Sequence, residues 1–79
     1  MELSKFVQLF ADQFDNTPSD QFYPAFVYKD LPEWSSLTSL SVIAMVDEEF
    51  DVQLNGDDFE NTHTIEDIFR FVISKKNDR

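Results

Sequence analysis

Two adjacent serines, Ser35 and Ser36, stand where a proline-containing loop gives way to a helical pattern. A serine hydroxyl in the first turn of a helix is well placed to carry a phosphate group. The helix N-terminus offers free N–H groups and the positive end of the helix dipole to such an anion. Serine is also common as an N-cap, where its hydroxyl only satisfies the backbone. The two serines taken alone favour the capping role.

The other residue types that carry chemistry form no catalytic or metal-binding pattern. The chain has no cysteine, which excludes disulfides, zinc–thiolate sites and cysteine nucleophiles. His63 is the only histidine, and no pattern pairs it with Ser36 and an acid for nucleophilic catalysis. Residues 51–56 resemble the start of a calcium loop, but the position for its bidentate glutamate is Thr62. We therefore expect no catalytic residue and no dedicated metal site, while loose divalent binding by the acids stays open.

Sixteen acidic residues against six basic ones give the 79-residue chain a net charge of −10. That sign disfavours nucleic acid and anionic membrane surfaces, because both attract Lys and Arg. A basic protein partner is the natural complement. No apolar stretch approaches the roughly 20 residues of a membrane span, and the first residues lack the pattern of a secretory signal. We expect a single cytoplasmic domain over residues 1–79 with enough apolar residues for a core.

Hydrophobic periodicity predicts the helices that position these residues. The first runs over residues 3–14, and a polar turn that contains proline stops it. Residues 21–35 lack a helical period and predict a long ordered loop, in which Trp34 and other aromatic residues cover the core. A second helix over Ser36–Phe50 begins after the N-cap Ser35.

The second helix carries more apolar residues than an ordinary stripe needs. One broad face is formed by Leu37, Leu40, Ile43, Ala44 and Phe50. The apolar arc is widened by Val42, Met45 and Val46. This helix is therefore either buried on several sides or carries a surface for a partner. The acids near its C-terminal end oppose the helix dipole at a cost of up to about 1 kcal/mol each, which suggests a role in recognition.

The last helix has the clearest start. Thr64 and Asp67 match a capping-box pattern, in which an acid follows the cap by three residues. The apolar stripe that follows is formed by Ile65, Ile68, Phe69, Val72 and Ile73. Residues 57–60, after the only glycine, predict a single helical turn. The expected fold class is all-α, with three main helices and a short fourth around an aromatic core.

The ordered set of motifs along the chain resembles the acyl carrier protein family. In that family an Asp-Ser-Leu tripeptide opens an acidic second helix, which closes in a run of acids before Phe. Here Ser36 and Leu37 open the helix, and residues 47–50 read Asp-Glu-Glu-Phe. A short third helix and the start of the last helix at residues 64–67 also match the family. The resemblance is tightest over residues 34–73 and implies an acyl-carrier-like bundle with a long ordered loop between helices one and two.

The resemblance implies that Ser36 receives 4′-phosphopantetheine as a phosphodiester. The thiol at the end of this arm carries an acyl group as a thioester, which suits a chain without cysteine. The implied protein is a carrier in fatty-acid, polyketide or related synthesis, and not an enzyme. Its implied partners are a phosphopantetheinyl transferase and basic-faced acyl-transfer or synthase enzymes, with the carrier itself a monomer. The positions that match partner-binding residues of the family are Leu37, Leu40, Asp47, Glu48 and Glu49.

The chain departs from the family pattern near the serine. Ser35 stands where the family usually has Asp, and Thr38 and Ser41 are neutral where fatty-acid carriers commonly hold acids. Ser35 favours one alternative, a carrier-like binding or regulatory module that is never modified. A second alternative is an aminoacyl or peptidyl carrier of a non-ribosomal pathway, although those domains tend to be less acidic. A small enzyme ranks last, because no catalytic constellation is visible.

Overall fold

The computed structural model describes residues 2–77, and this part of the chain is all-α. Its α-helices are α1 (Leu3–Ala11), α2 (Ser36–Phe50), α3 (Gly56–Glu60) and α4 (Ile65–Asn77). Turns of 3₁₀ helix at Ser19–Gln21 and Tyr28–Asp30 lie in the long segment between α1 and α2. This arrangement confirms the predicted class of three main helices and a short fourth. None of the helices within residues 2–77 has both the length and the apolar character that a membrane span requires.

Helix α1 is shorter than its apolar periodicity predicts. It ends at Ala11, so the predicted end at Phe14 is wrong. The chain tightens there into i→i+3 hydrogen bonds, from the Gln13 N–H to the Phe10 carbonyl at 3.1 Å and from the Phe14 N–H to the Ala11 carbonyl at 3.0 Å. Phe14 is still buried, because the tight turn keeps it beside Phe10. A hydrophobic stripe alone does not distinguish such a turn from a further turn of α-helix.

The core between α1, α2 and α4 is rich in aromatic side chains, and Tyr28 is fully buried in it. The Tyr28 ring lies 5.2 Å from Phe10 and 4.7 Å from Trp34, measured between ring centroids. Burial raises the pKa of Tyr28 to about 12. The charge of Asp67 adds to this rise, whereas the hydrogen bond to the Thr62 hydroxyl opposes it. That hydrogen bond spans 2.9 Å. The neutral tyrosine therefore joins the long loop to the segment that precedes α4.

The loop between α1 and α2 is ordered, as its aromatic residues predict. Its backbone accepts hydrogen bonds from the start of α4, at 3.3 Å from the Ile65 N–H to the Phe26 carbonyl and at 2.9 Å from the Glu66 N–H to the Pro24 carbonyl. An isolated antiparallel bridge joins Val27 to Thr64 nearby. The loop thus satisfies N–H groups that a helix N-terminus leaves without intrahelical partners.

Helices α3 and α4 both start with capping hydrogen bonds between residues three positions apart in the chain. At α4, the Asp67 N–H donates to the Thr64 hydroxyl and the Thr64 N–H donates to the Asp67 carboxylate, both at 3.1 Å. This confirms the predicted capping box. Hydrogen bonds from the backbone N–H groups of Thr64 and His63 lower the pKa of the Asp67 carboxyl. At α3, the Asn55 N–H donates to the Asp58 carboxylate at 2.8 Å, a cap that the motifs above do not predict.

Candidate functional site

The two serines at the start of α2 have different environments. Ser35 is the N-cap, and its hydroxyl oxygen accepts the Thr38 N–H at 3.3 Å. Ser36 is the first helical residue and is exposed. Its hydroxyl makes no hydrogen bond with any residue that the structure describes. The capping role therefore belongs to Ser35, and the Ser36 hydroxyl is accessible for modification.

The first turn of α2 also has unused backbone donors. The Ser39 N–H donates to the Ser35 carbonyl at 2.9 Å, so this group is satisfied. The N–H groups of Ser36 and Leu37 have no acceptor within residues 2–77. They lie at the positive end of a 15-residue helix. An anion attached to Ser36 is therefore favoured by both the free donors and the helix dipole.

Ser36 borders an open cleft of about 230 Å³ between the start of α2 and α3. The cleft is also lined by Lys29, Trp34, Ser35, Ser39, Gly56, Phe59 and Glu60. The Trp34 and Phe59 rings meet edge to face, with their centroids 5.2 Å apart, and form an apolar wall. Trp34 also stacks on Phe10 of α1, which confirms the prediction that this indole packs the loop against the bundle. A chain attached to Ser36 can lie along this aromatic wall.

Glu33 holds the segment that leads into α2. Its carboxylate accepts the Asp15 N–H at 2.8 Å, the Asn16 N–H at 3.1 Å and the Thr17 hydroxyl at 2.8 Å. Desolvation raises the pKa of Glu33, but these three donors outweigh it and hold the pKa below its ordinary value. The Glu33 carbonyl oxygen in turn accepts the Thr38 hydroxyl at 2.8 Å. The turn after α1 is thereby joined to the first turn of α2.

Sequence reasoning missed Glu33 and Thr38 as residues that shape the site. The carboxylate partners of Glu33 are 16 to 18 positions away in the chain, so no local spacing encodes the contact. Thr38 is neutral and stands in the first turn of a helix, yet it is buried, with 9% of its surface exposed. A buried hydroxyl needs a partner, and here the partner is the Glu33 carbonyl. Only the packing of α2 shows that Thr38 faces inward.

Helix α2 buries one side and exposes an apolar row on the other. The buried residues are Thr38, Val42, Met45, Val46 and Phe50. Leu37 and Leu40 have 76% and 60% of their surface exposed, and Ala44 is exposed as well. The single apolar face predicted from Leu37 to Phe50 is wrong, because Phe50 lies on the buried side. Of the two alternatives for this helix, an exposed apolar surface is the one that the side-chain exposures support.

The acids near the end of α2 only partly continue this exposed row. The row consists of Leu37, Leu40, Ala44 and Glu48, with Asp47 beside it. At 1.5 Å per residue, Asp47 and Glu48 lie about 17 to 18 Å along the helix from Ser36. Glu49 is turned about 100° from Glu48, toward the buried side, although it is exposed at the helix end. Asp47 and Glu48 therefore share a surface with the two leucines, and Glu49 stands apart from it.

Two lysines of α4 bind carbonyl oxygens at the end of α2 and just beyond it. Lys76 Nζ donates to the Phe50 carbonyl at 2.9 Å, and Lys75 Nζ donates to the Gln53 carbonyl at 2.8 Å. Cations at this end of a helix offset the negative end of its dipole. This pairing between α4 and α2 is a tertiary contact that periodicity does not predict.

No protein-family model matches the chain, and no curated protein matches it either. Within the described residues, no group of three or more His, Asp or Glu side chains is placed to hold a metal ion. Among the described residues, the features that bear on function are Ser36, its cleft and the exposed side of α2.

Proposed function

We propose that this protein is an acyl carrier protein that holds its cargo on a 4′-phosphopantetheine arm attached to Ser36. The observation that carries the proposal is the contrast between the two serines. Both serines are exposed and border the cleft, but the Ser35 hydroxyl caps α2, whereas the Ser36 hydroxyl has no partner among residues 2–77. The type of modification proposed for Ser36 is supported by the ordered motifs of the sequence, which resemble those of the acyl carrier protein family.

The modification transfers one group from coenzyme A to the protein. The Ser36 oxygen forms a new bond to the phosphorus that bears the pantetheine, and the P–O–P bond of coenzyme A breaks. Adenosine 3′,5′-bisphosphate leaves, and the hydroxyl proton passes to a base of the modifying enzyme. When attached, the arm supplies a thiol that binds acyl groups as thioesters. The residues of this chain hold and present the arm.

The exposed side of α2 supports a role in docking to basic enzymes. Leu37 and Leu40 offer an apolar contact beside Ser36, and Asp47 and Glu48 offer negative charge at the other end of the same row. Such a surface favours a partner with an apolar groove and Arg or Lys at its rim. Ion pairs of this kind accelerate encounter and weaken as salt is added.

The proposal is tested by intact mass after incubation with coenzyme A and a broad-specificity phosphopantetheinyl transferase. Wild type and Ser39→Ala should each gain one phosphopantetheine, and Ser36→Ala should gain none. Ser39 is a matched control, because it borders the same cleft one turn further along α2. No gain by wild type with several transferases would overturn the proposal.

The second candidate is a carrier-like binding or regulatory module that is never modified. Ser35 in place of the family's Asp favours it, and the exposed leucine pair would serve a binding module equally well. The mass experiment separates the two, since only the carrier gains an arm. An aminoacyl or peptidyl carrier would also gain the arm, and the cargo found on the thiol would then distinguish it.

A further inference from the structure

The cleft beside Ser36 is bordered by one cationic side chain, Lys29. Lys29 belongs to the 3₁₀ turn at Tyr28–Asp30, and the neighbouring Tyr28 has no exposed surface. The Tyr28 hydroxyl is hydrogen-bonded to Thr62, and its ring lies 4.7 Å from that of Trp34. The backbone that carries Lys29 is therefore anchored to the core on two sides. This anchoring keeps the lysine at the cleft.

The Lys29 ammonium group has no partner within the described part of the chain. Arg70 is paired with Glu66, and Lys75 and Lys76 donate to backbone carbonyl oxygens. Lys29 makes no hydrogen bond or ion pair with any described residue, although it is half-buried. In a chain of net charge −10, a cation left unpaired beside a cleft is available to a further anion.

The acids around Lys29 do not neutralise it in this structure. Glu60 borders the same cleft, and Asp30 follows Lys29 in the turn. Neither carboxylate lies within ion-pair distance of the Lys29 ammonium. Both acids repel an anion that approaches the cleft. Lys29 is the group that offsets this repulsion.

We propose that Lys29 binds the phosphodiester formed on Ser36 and holds the first part of the arm in the cleft. The inference rests on the proposed modification of Ser36. A serine phosphodiester carries one negative charge, and an ammonium group is a compact donor for phosphate oxygens. Because the arm is covalently attached, the pairing is intramolecular and needs no further loss of translational freedom. Lys29 is thus a positioning residue for the arm.

The test compares fully loaded wild type with Lys29→Gln, Lys29→Arg and Lys5→Gln. Lys5 is the matched control, because it is an exposed lysine on α1 that also has no partner among the described residues. Loading is driven to completion and verified by intact mass, and the ³¹P resonance of each protein is recorded at low and high salt. Wild type, Lys29→Arg and Lys5→Gln should share one resonance position at low salt. Lys29→Gln should be displaced from it, and high salt should move wild type toward Lys29→Gln.

A second measurement uses the thermal midpoint. Attachment of the arm should raise the midpoint of wild type relative to its own unloaded form, and the rise should be smaller in Lys29→Gln. Equal ³¹P positions and equal rises in wild type and Lys29→Gln would overturn the role of Lys29 while the carrier function stands. A folded Lys29→Gln that does not load, beside a Lys29→Arg that does, would assign Lys29 to transferase recognition and also overturn the inference. Failure of every protein to load would instead remove the carrier function and this inference with it.

Discussion

The hydroxyl of Thr38 donates a hydrogen bond to the carbonyl oxygen of Glu33 at 2.8 Å, so the first turn of α2 is tied directly to the loop before it. The side chain of Glu33 binds the turn that follows α1. Ser36 stands between these two residues in sequence, on the part of the helix that they hold. The hydroxyl proposed to carry the arm is thus exposed on a backbone that is fixed on both sides.

Removal of the Thr38 hydroxyl should destabilise the protein. Thr38→Val keeps the shape of the side chain but leaves the Glu33 carbonyl without this donor, at an expected cost of about 1 kcal/mol. Thr38→Ser keeps the hydroxyl and should lose less. Urea unfolding of the three proteins measures the difference. Equal stability of Thr38→Val and wild type would contradict a role for this hydrogen bond.

The Glu33 carboxylate should make stability depend on pH in the acid range. Its pKa in the folded protein is held below the ordinary value of 4.5, so the unfolded chain takes up the proton first as the pH falls. The Glu33 carboxylate therefore makes its full contribution to the free energy of unfolding above pH 4.5. This contribution is lost as the pH falls through the lower pKa of the folded protein. Glu33→Gln should flatten the fall of unfolding free energy over this window. Glu48→Gln, at an exposed position of α2, is the control, and parallel curves for wild type and Glu33→Gln would count against the prediction.

Ser35→Asp should introduce the acid that acyl carrier proteins usually have before the modified serine, without loss of stability. Asp and Ser cap helices about equally well, so urea unfolding should give nearly the same free energy as wild type. The added charge beside Ser36 should increase the rate at which a transferase specific for Asp-Ser-Leu carriers loads the protein. Ser35→Ala tests the cap itself and should cost about 1 kcal/mol. An unchanged loading rate in Ser35→Asp would show that the departure at this position does not limit recognition.

The same substitution should have opposite consequences at Leu40 and Leu54. Leu40 is 60% exposed on α2, and Leu40→Ala should change stability by no more than about 0.5 kcal/mol. Leu54 is 1% exposed, and Leu54→Ala should cost about 2 to 5 kcal/mol through the cavity that it leaves. Loading by the transferase should show the opposite order of effects, because Leu40→Ala should raise the KM for the carrier more than Leu54→Ala does. A large loss of stability in Leu40→Ala would indicate that this side chain is structural.

Added salt or divalent cations should stabilise the fold. A net charge of −10 on a small domain produces self-repulsion that ions screen. The thermal midpoint should therefore rise from low to moderate ionic strength, and a divalent chloride should act at lower concentration than sodium chloride. Thermal melts that coincide at all salt concentrations would contradict this expectation.

Local patterns in the sequence were sufficient for the helices whose signals are short-range. The start of α4 follows from Thr64 and Asp67, because a capping box is made entirely within one turn. The bounds of α2, the single turn of α3 and the all-α class follow from periodicity and from the residues that begin each helix. The identity of Ser36 as a candidate site also came from motif order alone, and that assignment stays a prediction.

Tertiary packing decided what the patterns left ambiguous. Helix α2 has apolar residues on most of its circumference, so only its contacts with α1 and α4 determine that Val46 is buried and Leu40 exposed. Periodicity places the end of α1 wrongly, because Phe14 reaches the core equally well from a tight turn. Glu33 binds its partners across 16 to 18 positions of the chain, and Lys29 meets the cleft of Ser36 only when the loop folds back on α2. Periodicity and caps act within a few residues, whereas these relationships join distant segments, and no spacing in one segment can encode them.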